Sequence, residues 1–124
     1  MKKILIVAKD NNTREFLAQA LAYNGFRVIG AGDAVGGLYK LGICQPHLVI
    51  LEIGDWATLE RFRRLSDVPI IALTPNDDEL GVESLDRGAD LYVTLPPSFG
   101  ELVARIRALL RRHESTVVGI GQEY

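Results

Sequence analysis

Stretches of nearly unbroken apolar residues alternate with amphipathic ones along this chain, and the alternation predicts its architecture. Short runs rich in Val, Ile and Leu recur at Ile4 to Ala8, Phe26 to Ala31, Leu48 to Glu52, Ile70 to Leu73 and Leu91 to Thr94. The first, third and fourth do not alternate apolar with polar positions, which is the pattern of strands covered on both faces. A segment of helical spacing follows each run. The first such segment carries Phe16, Leu17, Ala20 and Leu21 on one face, opens with an Asn12…Glu15 capping-box pattern and stops at Asn24-Gly25. The third spaces Trp56, Leu59, Phe62 and Leu65 three apart behind an Asp55 cap. The fifth carries Leu102, Val103, Ile106, Leu109 and Leu110 behind a Ser98…Glu101 box. Gly36-Gly37 falls inside the second helix and Gly81 inside the fourth. Each glycine there costs about 1 kcal/mol relative to alanine, so these two helices are expected to be the less stable.

Strand and helix alternating in this way imply an α/β fold, a parallel sheet with helices on both faces joined by right-handed crossovers. Sites in such sheets form at the carboxyl ends of the strands, where strand order reverses. The segments to examine are therefore Ala8 to Asp10, Glu52 to Gly54, Thr74-Pro75 and Thr94 to Pro96. From His113 to Tyr124 no helical period and no separate core is evident. Residues 1–112 are read as the folded domain and 113–124 as a linker or the start of a downstream effector domain.

Composition narrows the function classes. The 124 residues suit one domain with a single core. A formal net charge of -2 gives no long-range attraction to nucleic acid or to an anionic membrane. Arg105, Arg107, Arg111 and Arg112 do not share one helical stripe, so no direct nucleic-acid contact is expected. Cys44 is the only cysteine, which excludes an internal disulfide and a cysteine-based zinc cluster and suits a reducing cytoplasm. The first apolar run is too short for a signal peptide or a membrane span. His47 and His113 have no partner at metal-ligand spacing and receive no role.

The ordered set Lys3-Ile-Leu-Ile-Val7, Leu48-Val-Ile-Leu51 with an acidic residue after it, Pro69-Ile-Ile-Ala-Leu-Thr74 and Gly88-Ala-Asp-Leu-Tyr-Val-Thr-Leu-Pro96 resembles the response-regulator receiver domain over residues 3 to 112. The ending from Glu101 to Arg112 looks like that of the OmpR/PhoB-like subgroup, whose members carry a winged-helix DNA-binding domain downstream. The resemblance implies a doubly wound, flavodoxin-like (βα)5 sandwich with strand order 2-1-3-4-5. It also implies an acidic pair after the first strand holding magnesium and an aspartate after the third accepting a phosphoryl group. A Thr or Ser after the fourth would sense that group, and a lysine after the fifth would bind it. Here those positions read Ala8-Lys9 with Asp10 alongside, Glu52, Thr74 and Leu95.

Those replacements work against phosphorylation. Magnesium requires near-octahedral oxygen ligands, and Lys9 puts a cation where the ion would sit. Glu52 is one methylene longer than aspartate, which displaces a nucleophile by roughly an ångström. Leu95 supplies no ammonium for a phosphate. No metal, no cofactor and no catalytic residue is expected. The leading reading is a pseudo-receiver that acts in signal transduction and transcription regulation through phosphorylation-independent contact with a protein partner or attached effector domain. The alternative is a phospho-accepting receiver that uses Glu52 with an unusual metal site. A small-molecule sensor using the emptied crevice rests on the fold's site location alone.

Finer expectations are paired with plainer ones. The Lys9 ammonium pairs with Glu52, or both point to water. Glu52 imitates a phosphorylated aspartate, or has drifted out of use. Thr74 and Tyr92 keep a switching role, or are a satisfied strand-end hydroxyl and a core-edge tyrosine. The resemblance suggests a cis bond at Leu95-Pro96. It also suggests a homodimer through the fourth and fifth helices using Asp90, Glu101, Arg105 and Arg112. Leu91 and Gly81 stand where two ion-pair partners would be, and the other reading of that face is a solvated charged surface.

Overall fold

A computed structural model describes residues 1–122, with side chains described through Glu114. Its elements alternate along the chain: β1 Lys3–Val7, α1 Asn11–Tyr23, β2 Arg27–Ala31, α2 Ala34–Cys44, β3 Leu48–Glu52, α3 Trp56–Leu65, β4 Ile70–Thr74, α4 Asp78–Asp86, β5 Leu91–Thr94 and α5 Phe99–Gln122. The strands form one parallel sheet in the order β2-β1-β3-β4-β5. Val7 stands beside Leu51, and Glu52 beside Leu73, so the carboxyl ends of the central strands meet along one edge.

The unbroken apolar runs are explained by helices on both faces. On one face Ile4, Ile6, Leu48, Ile50 and Ile71 pack against Leu17 and Leu21 of α1 and Leu102, Ile106 and Leu110 of α5. On the other, Leu5, Val7, Val49, Leu51 and Ile70 pack against Leu41 of α2 and Leu59 and Phe62 of α3. Each fully buried Leu or Ile contributes about 1.5–3 kcal/mol relative to an exposed one, so alternate residues of a central strand stabilise opposite layers.

The two glycines that weaken α2 and α4 locally are explained by close packing. A Cβ on Gly37 would lie 2.8 Å from Val7 Cγ2 and 3.2 Å from Phe62 Cζ, so the glycine lets α2 settle onto β1. A Cβ on Gly81 would lie 2.2 Å from Tyr92 Cδ2, because the tyrosine ring of β5 rests on the backbone of α4.

Several local expectations need correction. The N-cap of α1 is Asp10, not Asn12, since the chain leaves the sheet only after the Ala8 amide has bonded to the Ala31 carbonyl at 3.1 Å. Phe16 is exposed and meets Phe99 edge-on, with ring centroids 4.6 Å apart, instead of facing the core. Leu65 is also exposed, leaving Leu59 and Phe62 as the buried pair of α3. Helix α5 continues to Gln122, past Arg112, where periodicity was expected to lapse. Among the described residues no helix is long and apolar enough to cross a membrane.

Candidate functional site

Four aspartates open four helices at the carboxyl edge of the sheet. Asp10, Asp33, Asp55 and Asp77 cap α1, α2, α3 and α4, each accepting from backbone N–H groups of the first turn. Those amides have no partner within their helix, and a short carboxylate satisfies them while complementing the positive end of the helix dipole. Only Asp55 was recognisable as a cap beforehand.

Asp10, the carboxylate near the end of β1, is held by this task. Its Oδ2 accepts from the Thr13 hydroxyl at 2.7 Å and from the Thr13 amide at 3.2 Å. The hydroxyl bond, reinforced by the amide, keeps the Asp10 carboxyl below the usual carboxylate range. In the same way the Thr58 amide, 2.7 Å from Asp55 Oδ1, lowers Asp55.

Glu52, at the end of β3, accepts the backbone N–H of Lys9 at 3.0 Å. The two residues meet as expected, but the atom that meets the carboxylate is the amide, and the contact does not use the ammonium. The extra methylene of glutamate carries the carboxylate across to the neighbouring strand end. Above it a cleft of about 310 Å³ is bordered by Lys9, Asp33, Glu52 and Asp55. Two of its three carboxylates are the caps of α2 and α3.

Arg14 was not anticipated as part of this edge. Its Nη1 donates to the Ala8 carbonyl at 2.6 Å, and its Nη2 donates to Asn11 Oδ1. Gly30 and Gly32 make room for it: a Cβ at either would meet the arginine side chain at 3.3 or 3.4 Å. The signal in the sequence was Gly30-Ala-Gly32 at a strand end, but nothing local names the side chain that lies across it.

On the β4–β5 side, Thr74 is fully buried, and its hydroxyl has no hydrogen-bond partner among the described residues. The expectation of a satisfied strand-end hydroxyl is therefore not met. The Thr74 carbonyl accepts from the Leu95 amide at 2.8 Å, and the Leu95-Pro96 peptide is cis. Leu95 packs against the core layer beneath α1 and α5, together with Phe99. Tyr92 packs into the opposite layer, against α4.

The charged residues assigned to an intermolecular face are engaged within the chain. Asp90 Oδ2 accepts from Arg63 Nη2 at 2.7 Å and from the Ile70 amide at 2.8 Å. Arg63 also donates to the carbonyls of Gly88 and Val68, so it fastens α3 to the turns before β4 and β5. Glu101 and Arg105 pair one helical turn apart at 2.7 Å. Arg112 is exposed on α5.

The donor set does not fit magnesium. Ala8 offers no ligand, Lys9 adds positive charge, Asp10 is occupied at its helix, and Arg14 holds the Ala8 carbonyl. Among the described residues no group of three or more His, Cys, Asp or Glu side chains is arranged to hold a metal ion.

No family model matches the chain. It is 40% identical over 128 residues to the transcriptional activator protein IrlR of Burkholderia pseudomallei, an alignment covering 95% of this chain and 56% of that protein. It is 39% identical over 122 residues to the KDP operon transcriptional regulatory protein KdpE of Escherichia coli, covering 94% of this chain and 54% of that protein. The chain thus spans about half the length of these curated relatives. Among solved structures, a CheY-like response regulator receiver domain protein from Methanospirillum hungatei superposes with a TM-score of 0.86 at 28% identity, covering 94% of this chain and 98% of that one. A two-component response regulator from Clostridium difficile gives 0.85 at 28%, covering 91% and 98%. A parallel sheet of this order, with its site at the carboxyl edge, defines the CheY-like class of the flavodoxin fold. The chain belongs to the response-regulator receiver domains, with relatives of the OmpR/PhoB-like kind.

Proposed function

We propose that this chain is a pseudo-receiver, a signalling module that takes part in transcription regulation through protein contact without being phosphorylated. The observation that carries this reading is the bond from the Lys9 amide to Glu52 at 3.0 Å, in an edge whose other carboxylates cap helices. Phosphoryl transfer needs an in-line nucleophile and cations placed on the transferred oxygens. Here the carboxylate is turned onto a neighbouring amide, and the lysine expected after β5 is Leu95.

The partner is an effector, attached or separate. The relatives' names as transcriptional regulators, and the half of their length that this chain does not match, support that choice. Residues 1–112 form the receiver unit in this reading, and 113–124 lead toward the effector. A symmetric pairing of two copies through α4, β5 and α5 would require Asp90, Glu101 and Arg105 to share or exchange their internal partners.

The test is incubation with Mg²⁺ and a small phosphodonor, followed by intact-mass measurement, with fluoroberyllate titration followed by NMR in parallel. Unchanged mass and unshifted Glu52 and Thr74 amides are expected. A stable phosphoryl adduct on Glu52 would replace this reading with that of a phospho-accepting receiver.

A further inference from the structure

We infer that the β4–β5 side of the carboxyl edge holds a binding site for an uncharged, ring-bearing hydrophobic small molecule. An open cavity of about 620 Å³ lies there, walled by Phe16, Leu17, Pro75, Leu95, Pro96 and Pro97. Small-molecule sites commonly measure about 300–1,000 Å³ and combine apolar walls with a few polar groups. The polar groups here are Asn12, Thr13 and Asn76.

Charge and rigidity choose the occupant. Among the described residues no Asp, Glu, Lys, Arg or His side chain lines the cavity, so a charged ligand would be desolvated without compensation, whereas a neutral one is matched. Leu95 stands where the receiver pattern has a lysine, and its side chain converts an anion-binding position into an apolar wall. Phe16, 60% exposed, is braced by its edge-on contact with Phe99 at 4.6 Å, so an aromatic face is already presented. Three prolines fix φ in the two turns that form the far wall, which limits the ordering required on binding.

The cavity joins the turns that lead from β4 into α4 and from β5 into α5. The residue before Pro75 is Thr74, whose buried hydroxyl has no partner among the described residues. A bound molecule would bridge these two turns from the α1–α5 face, across the sheet from the layer in which Tyr92 packs against α4. The site does not depend on whether Glu52 can be phosphorylated.

N-phenyl-1-naphthylamine, neutral and bicyclic with an added phenyl ring, is a suitable probe for the protein, read by fluorescence and by amide NMR. Saturable binding is expected, with shifts at Thr13, Phe16, Leu17, Asn76 and Leu95. Leu95→Lys places an ammonium in the cavity, and Phe16→Ala removes a wall at an exposed position where folding is retained. Each should weaken binding roughly tenfold or more. Tyr39→Ser, on the exposed apolar face of α2, should leave it unchanged. The inference fails if the probe does not saturate, or if both cavity variants bind as well as the parent. It also fails if the shifts centre on Val35, Tyr39 and Ile43. Concentration-dependent shifts at Phe16 and Leu95 without probe would likewise overturn it, by showing a second copy in the cavity.

Discussion

Replacing Gly81 by alanine should destabilise the domain, although the same change in an ordinary helix stabilises. Alanine is favoured over glycine in a helix interior by about 1 kcal/mol. Against this, the new methyl would lie 2.2, 2.3 and 2.6 Å from Cδ2, Cε2 and Cγ of the Tyr92 ring, too close by more than an ångström at the nearest atom. The ring must shift or swing outward, and such overpacking costs about 1–3 kcal/mol. The net expectation is a loss of about 0–2 kcal/mol in the parent. In a Tyr92→Ala background the obstruction is gone, and Gly81→Ala should instead stabilise by about 1 kcal/mol. Urea unfolding followed by circular dichroism, with constant m-values, measures all corners of this double-mutant cycle. A Gly81→Ala variant stabilised equally in both backgrounds would refute the idea that glycine is there to seat the tyrosine.

Thr74→Val keeps the shape of a fully buried side chain and removes a hydroxyl without a partner among the described residues, so it should stabilise by about 1–2 kcal/mol in the same unfolding assay. A loss of stability would mean that the hydroxyl is satisfied in solution. Gly37→Ala should destabilise by about 1–3 kcal/mol, read as a lowered urea midpoint, since its methyl would stand 2.8 Å from Val7 Cγ2 in a buried layer. For His47, desolvation, aided by the charges of Lys2 and Lys3, holds the imidazole below its ordinary value of 6.5, and Nδ1 accepts the Lys3 amide at 2.9 Å. As pH falls below 6.5 the unfolded chain takes up the proton first, so stability should decline until the folded histidine is protonated too. His47→Gln should remove that part of the pH dependence; an unchanged profile would dismiss it.

Burial on both sides made the strands legible. Ile4 to Val7, Val49 to Leu51 and Ile70 to Leu73 read as continuous apolar runs because each alternate residue enters a different layer. Helix starts were less legible because two caps compete over a few residues. Asp10 and Asn12 both precede suitable turns, and the pairing of Ala8 with Ala31 decides where the chain is released. Gly81 read as a local weakness because its reason is a ring on another element, eleven positions further along. At the site, the receiver resemblance sets Ala8, Lys9, Glu52 and Leu95 against charged positions of the family pattern, so residue identity alone predicts a charge missing or added. Identity does not say which nitrogen of Lys9 meets Glu52, nor that Arg14 crosses the glycines of β2 to reach Ala8.

The two halves of the carboxyl edge differ in polarity. On the β1–β3 side, polar groups that could serve a metal are occupied: Asp10 by Thr13, the Ala8 carbonyl by Arg14, and Glu52 by the Lys9 amide. Several local bonds would have to break before that side could accept an ion. On the β4–β5 side Leu95 and the prolines of the two turns present apolar walls, a surface that contact with an apolar group would improve. Any equilibrium between two states of this domain can be shifted only by a ligand that binds them unequally. Tyr92 and its seat at Gly81 lie on the α4 face of β5 and the cavity beside Phe16 on the α1–α5 face, so a ligand there can favour one state only through the turns after β4 and β5.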